Sequence, residues 1–227
     1  MTLITEKNKI YSIYTILYNE YGPQGWWPVD GKYFAENENP FEIIVGAILT
    51  QNTSWQNADR ALYNLRQKKL ISPQKIICTK IDVLRTLIKP SGYYKQKAAR
   101  LRAISLFFLK HLKEEVPKRE DLLKVTGIGP ETADSILLYA FHTPVFVVDA
   151  YTKRMFIHLD LVEKDDMYTD IQNIFLNSLP CDHSLFNEYH ALIVKHGKEV
   201  CRKRTLCSIC ILRKKKVCSF NFFITGK

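Results

Sequence analysis

Apolar side chains recur along this chain with the spacing of α-helices. From Phe41 onward they occupy positions i, i+3, i+4, i+7 and i+8, so they share one face of a helix. Comparable stripes start at Ala98, Ala133, Met167 and Leu185. The pattern predicts about nine to eleven helices of ordinary length and an all-α fold.

Two segments depart from this periodicity. Residues 145–148 are four apolar residues between Pro144 and Asp149, and a single short strand cannot form a sheet. We therefore predict an extended link into the next helix. The loop over residues 23–40 is rich in Gly, Pro and aromatic residues and is longer than a simple connection requires, which is typical of functional loops.

The chain is strongly basic. Its 227 residues include 33 Lys and Arg against 23 Asp and Glu, a formal net charge of +10. This charge favours a polyanionic partner, with nucleic acid the first candidate and an anionic membrane surface the second. The sequence lacks a secretory signal and any run of roughly 20 apolar residues, so we expect a cytoplasmic monomer with no membrane partner.

Four of the six cysteines crowd the C-terminal region, in the pattern C-x5-C-x2-C-x7-C: Cys201, Cys207, Cys210 and Cys218. In a reducing compartment such a cluster indicates metal binding rather than disulfides. The spacing alone leaves structural zinc and an iron–sulfur cluster open. Seven Lys and Arg residues lie between these cysteines and form either a solvated surface or contacts to DNA phosphates.

A Gly-Ile-Gly turn, Gly127 to Gly129, stands between two helical patterns. Glycines leave backbone amides uncovered, and amides beside a helix N-terminus can bind phosphate. A lone G-x-G is also common in ordinary tight turns. Ile128, which can anchor the tip of the turn, and the positive charge of the chain favour phosphate binding.

Four segments in order carry a family resemblance: L-T-Q-N-T at 49–53, S-G-Y-Y-K-Q-K-A at 91–98, V-T-G-I-G-P-E-T-A at 125–133 and V-V-D-A-Y at 147–151. Together they resemble the endonuclease III-like family of helix-hairpin-helix DNA glycosylases, over about residues 26–218. The resemblance implies a base excision repair enzyme that acts on double-stranded DNA containing damaged bases. The implied DNA-binding residues are Gln51, Thr126, Gly127, Ile128, Gly129 and Thr132.

Within this resemblance Gln51 fills the gap left by a flipped-out nucleotide. Local sequence shows only a polar residue near a helix end, and Thr53 or Ser54 is expected to cap a helix that begins at Trp55.

Asp149 directly precedes a helical pattern, so local sequence favours an N-cap. The resemblance implies that Asp149 is catalytic and stabilises the oxocarbenium-like sugar as the base leaves. Glu131 stands where bifunctional members of the family carry a lysine, which implies a monofunctional enzyme that uses water. Glu131 is either a second catalytic residue or an acid that favours the helix dipole.

Adjacent tryptophans usually pack in a core, but W-W-P at 26–28 with F-E-I-I-V-G at 41–46 resembles the 3-methyladenine DNA glycosylase III branch. This resemblance implies an aromatic base pocket of Trp26, Trp27, Pro28 and Phe41. Electron-rich ring faces attract a cationic alkylated base such as 3-methyladenine. Lys198 matches a lysine near the branch's active site, but a solvated lysine is the default interpretation of this residue.

The family also implies a [4Fe-4S] cluster on the four cysteines, with a zinc ion as the less favoured alternative. We expect two helical lobes: a six-helix domain over 33–141 with the helix-hairpin-helix, and a second domain from 1–32 and 142–227 with the cluster loop. The damaged nucleotide is expected between them, with Asp149 facing Gln51, in a protein associated with the nucleoid.

Two other functions remain open at this point. One is a bifunctional glycosylase/lyase for oxidised pyrimidines, and the other is a non-catalytic helix-hairpin-helix module that binds damaged or branched DNA.

Overall fold

The computed structural model describes residues 6–27, 40–111 and 116–220, and within these ranges it contains helices and no strand. The all-α prediction is confirmed. The α-helices are α1 (Glu6–Tyr21), α2 (Pro40–Thr50), α3 (Trp55–Gln67), α4 (Pro73–Cys78), α5 (Ile81–Leu87), α6 (Tyr94–His111), α7 (Arg119–Leu123), α8 (Pro130–Phe141), α9 (Ala150–His158), α10 (Tyr168–Ser178), α11 (His183–Glu199) and α12 (Ile211–Lys214).

The described residues thus hold twelve α-helices, more than the nine to eleven predicted. The excess has a simple cause, because α4, α7 and α12 have six, five and four residues. Helices of one or two turns are too short to display a periodic apolar stripe. No helix in the described ranges combines the length and apolarity needed to cross a membrane.

The chain forms two compact units. The hairpin unit, Trp27–Thr143, contains α2 to α8. The cysteine unit combines Met1–Trp26 with Pro144–Lys227 and contains α1 and α9 to α12. The boundary predicted at residue 33 lies outside the described residues.

The core of the hairpin unit is built around α2, which packs against α3, α6 and α8. Phe41, Ile44, Val45, Ile48 and Leu49 are at most 7% exposed, as the apolar stripe predicts. Burying a side chain of this size contributes roughly 1.5–3 kcal/mol. The central position of α2 holds the segment that follows it, including Gln51, in a fixed place.

The core of the cysteine unit is aromatic. The Phe146 and Phe175 rings stack with centroids 3.8 Å apart, and Phe156 and Tyr189 pack on Phe175 edge to face. Phe146 belongs to the extended link before α9, which is confirmed, and its carbonyl accepts a hydrogen bond of 2.7 Å from Gln172 Nε2. The link is therefore held in place just before Asp149.

One position in the predicted stripes is wrong. Met167, taken as an apolar core position, is 69% exposed. It is the N-cap of α10, where the chain has not yet turned onto the buried face of the helix. Ile171 and Phe175 of the same stripe are buried.

Candidate functional site

Asp149 is the N-cap of α9, so its carboxylate faces the free amides of the first turn. Its Oδ1 accepts hydrogen bonds from the Thr152 backbone N–H at 2.7 Å and from Thr152 Oγ1 at 2.9 Å. Its Oδ2 lies 3.7 Å from His190 Nε2 on α11. The local prediction of an N-cap is confirmed, and one oxygen of the carboxylate remains outside the cap.

The surroundings of Asp149 favour its ionised form. Burial raises the pKa of the carboxyl, but the neighbouring His190 imidazole and the two hydrogen bonds from Thr152 outweigh burial and leave the pKa below its usual value. The Asp149 side chain is 12% exposed and that of His190 only 7%. The site therefore keeps a carboxylate charged at neutral pH in a largely buried place.

Trp26 and Lys198 lie in the same neighbourhood. The Trp26 ring packs edge-on against His190 with centroids 5.8 Å apart, and the Lys198 Nζ lies 6.0 Å from the Trp26 centroid. Burial lowers the pKa of Lys198, and the negative charge of Asp149 partly offsets this effect. The structure thus gathers Asp149, Trp26 and Lys198 in the cysteine unit.

Tyr151 completes this neighbourhood, with its ring centroid 5.9 Å from Lys198 Nζ. It packs directly on Gly197 of α11, where an added Cβ would come within 2.8 Å of the Tyr151 ring. Gly197 therefore allows the close approach of α9 and α11 that brings Asp149 to His190. Sequence reasoning missed both Tyr151 and His190, because their roles depend on contacts between distant helices.

Trp27 and Phe41 lie in the core of the hairpin unit, and each is 7% exposed. Trp27 packs edge to face on Trp55 at 5.1 Å, and Phe41 on Phe108 at 6.2 Å. Both side chains have a packing role, and their predicted role in a base pocket stays a prediction. Pro28 lies outside the described residues.

The hairpin consists of α7, the loop 124–129 and α8. Gly127 has φ +84°, a left-handed conformation that disfavours residues with a Cβ. Ile128 is buried and anchors the turn, and its amide donates to the Val125 carbonyl at 3.0 Å. Thr126, Gly127 and Gly129 are exposed. Among the described residues no hydrogen bond acceptor is found for the backbone amides of Gly127 and Gly129. These two amides are therefore suited to binding an anion.

Gln51 is attached to this hairpin. Its Nε2 donates to Thr132 Oγ1 at 2.9 Å and to the Gly127 carbonyl at 3.2 Å, and its Oε1 accepts from Arg100 Nη1 at 2.5 Å. Ser54 caps α3, which begins at Trp55 as predicted. Glu131 is exposed in the first turn of α8, where its negative charge interacts favourably with the helix dipole.

The four clustered cysteines follow α11. Burial raises the pKa of Cys201 to about 12; Arg154 lowers it, and the other three thiols raise it further. The four side chains are sulfur donors of the kind that hold iron–sulfur clusters and zinc, so the chemistry of the donor set fits either group. His158 Nδ1 lies 3.2 Å from Cys201 Sγ, and His196 Nε2 lies 3.6 Å from Cys210 Sγ. Sequence reasoning did not find these two histidines.

In the part of the chain that the structure describes, no three His, Cys, Asp or Glu side chains are arranged around a single metal ion. The prediction of a cofactor therefore rests on the chemistry of the four cysteine side chains.

Comparison with known proteins points to one family. The model of the HhH-GPD superfamily base excision DNA repair proteins matches residues 45–181. The chain is 45% identical over 215 residues to a candidate DNA repair glycosylase of Methanocaldococcus jannaschii, covering 90% of this chain and 94% of the relative. It is 31% identical over 191 residues to endonuclease III of Thermotoga maritima, covering 80% and 86%.

A solved structure agrees with these relatives. The Helicobacter pylori 3-methyladenine DNA glycosylase bound to 1,N6-ethenoadenine matches with a TM-score of 0.70 and 31% identity, covering 86% of this chain and 97% of that one.

Proposed function

The chain belongs to the HhH-GPD superfamily of base excision DNA repair proteins and is a DNA glycosylase, and from this premise we propose that it excises alkylated bases. The proposed substrate is double-stranded DNA containing 3-methyladenine. The proposed reaction is hydrolysis of the N-glycosidic bond, without cleavage of the strand.

The observation that carries the proposal is the ionised carboxylate of Asp149. As the base leaves, positive charge develops on the sugar, and a fixed anion in a site of low water content stabilises this charge. Oδ1 is used by the helix cap, and Oδ2 beside His190 is the atom available to the sugar or to the attacking water. A cationic base leaves without prior protonation, so one carboxylate suffices.

Two further observations support the choice of an alkylated base. Trp26 lies beside the Asp149 and His190 pair, where its ring can attract a cationic base. The 3-methyladenine DNA glycosylase of Helicobacter pylori is 31% identical to this chain over the matched residues. In the same proposal Trp27, Pro28 and Phe41 contribute to the base pocket.

The absence of strand cleavage is proposed from Glu131. A carboxylate cannot form the Schiff base through which a lysine cleaves the strand. Glu131 is exposed in the first turn of α8 and is proposed as the counterpart of that lysine.

Lys198 supports a second candidate, a bifunctional glycosylase/lyase. Burial lowers the pKa of Lys198, which favours the neutral, nucleophilic amine. Its Nζ lies 6.0 Å from the centroid of the Trp26 ring, which packs on His190 beside Asp149. Borohydride trapping distinguishes the two candidates, because only the lyase leaves a covalent protein–DNA adduct that Lys198→Ala removes.

The hairpin is proposed to bind the DNA backbone through Thr126, Gly127, Ile128, Gly129 and Thr132. Exposed amides at the start of α8 suit a phosphate. Gln51, held on the hairpin, is proposed to fill the gap left by the flipped nucleotide.

A [4Fe-4S] cluster is proposed on Cys201, Cys207, Cys210 and Cys218, with zinc as the alternative. When bound, it would fix the basic loops between the cysteines and supply structure rather than reaction chemistry. Iron, sulfide and zinc analysis of the purified protein decides between them, and Cys210→Ser should lose the metal.

The decisive experiment uses methylated duplex DNA. The wild-type protein should release 3-methyladenine, identified by chromatography, and leave abasic sites without nicks. Release of no methylated base, or release accompanied by nicking and a trapped adduct, would overturn the proposal. Duplexes with oxidised pyrimidines, tested in parallel, should yield no free base.

A further inference from the structure

Arg100 on α6 is packed against the hairpin loop. Its side chain covers Gly127 so closely that an added Cβ there would lie 2.5 Å from Arg100 Nε and 2.6 Å from Cγ. Gly127 therefore serves two needs, the left-handed turn and the space for Arg100. This contact places a permanent positive charge directly beside the exposed glycines of the turn.

The same guanidinium holds Gln51. Arg100 Nη1 donates to Gln51 Oε1 at 2.5 Å, while the amide nitrogen of Gln51 donates to Thr132 and Gly127. All the polar atoms of the carboxamide are thus bonded to the hairpin or to Arg100. The orientation of Gln51 is set by these three partners.

Among the residues that the structure describes, the Arg100 guanidinium donates to the neutral Gln51, and no carboxylate lies within ion-pair distance of it. Another cation, Lys97, lies one turn earlier in α6, and burial together with the charge of Arg100 lowers its pKa. A guanidinium has five N–H donors, so one bond to Gln51 leaves donors for an anion.

We propose that Arg100 binds a DNA backbone phosphate beside the hairpin and positions Gln51 for insertion into the duplex. This proposal rests on the proposed function, because it takes Gln51 as the residue that fills the gap. Arg100 would couple phosphate binding to insertion, because the guanidinium that binds the backbone phosphate also orients the Gln51 side chain that enters the duplex. A fork-shaped guanidinium can serve a phosphate and a carboxamide together, which an ammonium does poorly.

The phosphate contact is tested by the salt dependence of binding to undamaged duplex DNA. Arg100→Gln should reduce the slope of log K against log salt by about 0.9, the loss expected for one phosphate contact, whereas Arg100→Lys should keep the slope. Arg102→Gln is the matched control, because Arg102 lies on the same helix but donates to the Thr79 carbonyl. An unchanged slope in Arg100→Gln, or an equal fall in Arg102→Gln, would overturn the phosphate contact.

The positioning role is tested by single-turnover base release from methylated duplex DNA at saturating protein. Arg100→Lys should release the base about tenfold more slowly, because the ammonium keeps the charge and loses the fork that aims Gln51. In the background of Gln51→Ala the same substitution should have no further effect. An equal loss in both backgrounds would mean that Arg100 does not act through Gln51.

These two arms separate the inference from the proposed function. Salt dependence is measured on undamaged DNA and does not depend on which base the enzyme removes. If the wild-type protein releases no methylated base, the proposed function fails while the phosphate contact is still decided by the slopes.

Discussion

Asp149 and Gln51 are both polar residues at helix ends, but they are held in different ways. Asp149 is fixed by Thr152, three residues later in its own helix. Gln51 is fixed by Arg100 and Thr132, which are 49 and 81 residues away. The first arrangement can be inferred from a short stretch of sequence, whereas the second exists only once the hairpin unit has folded.

The two residues also differ in charge. Asp149 is an anion whose ionised form is stabilised by its neighbours. Gln51 is neutral, and its Oε1 accepts a hydrogen bond from the cationic Arg100. Substitutions at the aspartate should therefore change chemistry more than stability. Substitutions around the glutamine should change its position and the stability of the hairpin unit.

The largest effect is expected for Asp149→Asn. Asparagine caps a helix about as well as aspartate, so the free energy of unfolding should change by less than about 1 kcal/mol. The rate of base release should fall about 10²- to 10³-fold, because the charge proposed to stabilise the sugar is gone. Single-turnover kinetics and urea unfolding measure the two quantities. Full activity would show that Asp149 is only a cap, and lost DNA binding would point to a folding defect.

Lys97→Met tests the support beneath Gln51. Lys97 is fully buried, and its Nζ donates to the carbonyls of Leu49 at 2.9 Å and Ser91 at 2.7 Å. Methionine cannot donate to them, so unfolding free energy should fall by about 1–3 kcal/mol. Lys95→Met, at an exposed position of the same helix, should change it by less than about 0.5 kcal/mol.

The same variant carries a pH signature. Burial, with a smaller contribution from Arg100, lowers the pKa of Lys97 from 10.5 to about 8. Between these values the unfolded chain still binds the proton and the folded chain does not, so the wild type should gain stability with rising pH relative to Lys97→Met. A constant difference between the two proteins from pH 8 to 10 would contradict this assignment.

His190→Asn should weaken catalysis about tenfold and move its acid limit. His190 lowers the pKa of Asp149, so its removal should shift the acid limb of the pH–rate profile to higher pH. The stability contribution of the Asp149 carboxylate, present above the pKa of an unfolded aspartate and lost as pH falls through the lowered folded value, should shrink as well. Thr152→Ala, which keeps the backbone bond to Oδ1, should move the limb less.

Thr132→Val is expected to have the smallest effect. It removes the oxygen that accepts from Gln51 and keeps the shape of the buried side chain. The lost hydrogen bond should cost about 1 kcal/mol of unfolding free energy. Thr126→Val, at an exposed position of the loop that precedes α8, should leave stability within about 0.5 kcal/mol of the wild type. Equal values for the two variants would mean that the carboxamide contact adds no stability.

Local sequence patterns predicted what local forces determine. The buried face of α2, the Ser54 cap and the extended link before Asp149 follow from periodicity, capping preferences and a short apolar run. Met167 shows the limit of periodicity, since an apolar residue at a helix start need not reach the core. The adjacent Trp26 and Trp27 show a second limit of sequence patterns. They belong to different compact units, and no local rule distinguishes two neighbouring tryptophans.

His190 and Arg100 could not be predicted in the same way. Each is an ordinary residue within a helix, and its role arises from the packing of that helix against a distant segment. A histidine in α11 becomes a partner of Asp149 only because Gly197 lets α9 approach. Such roles depend on tertiary structure, which residue spacing does not encode.

The cysteine unit is built from two stretches of chain with the hairpin unit between them. During synthesis α1 emerges before the hairpin unit, yet the helices against which it packs, α10, α11 and α12, follow only after the hairpin unit is complete. The hairpin unit is continuous and can fold while translation proceeds. The hairpin unit, which is proposed to bind DNA, should thus form before the unit that carries Asp149. Under the proposed function, a nascent chain would bind DNA before it could hydrolyse a glycosidic bond.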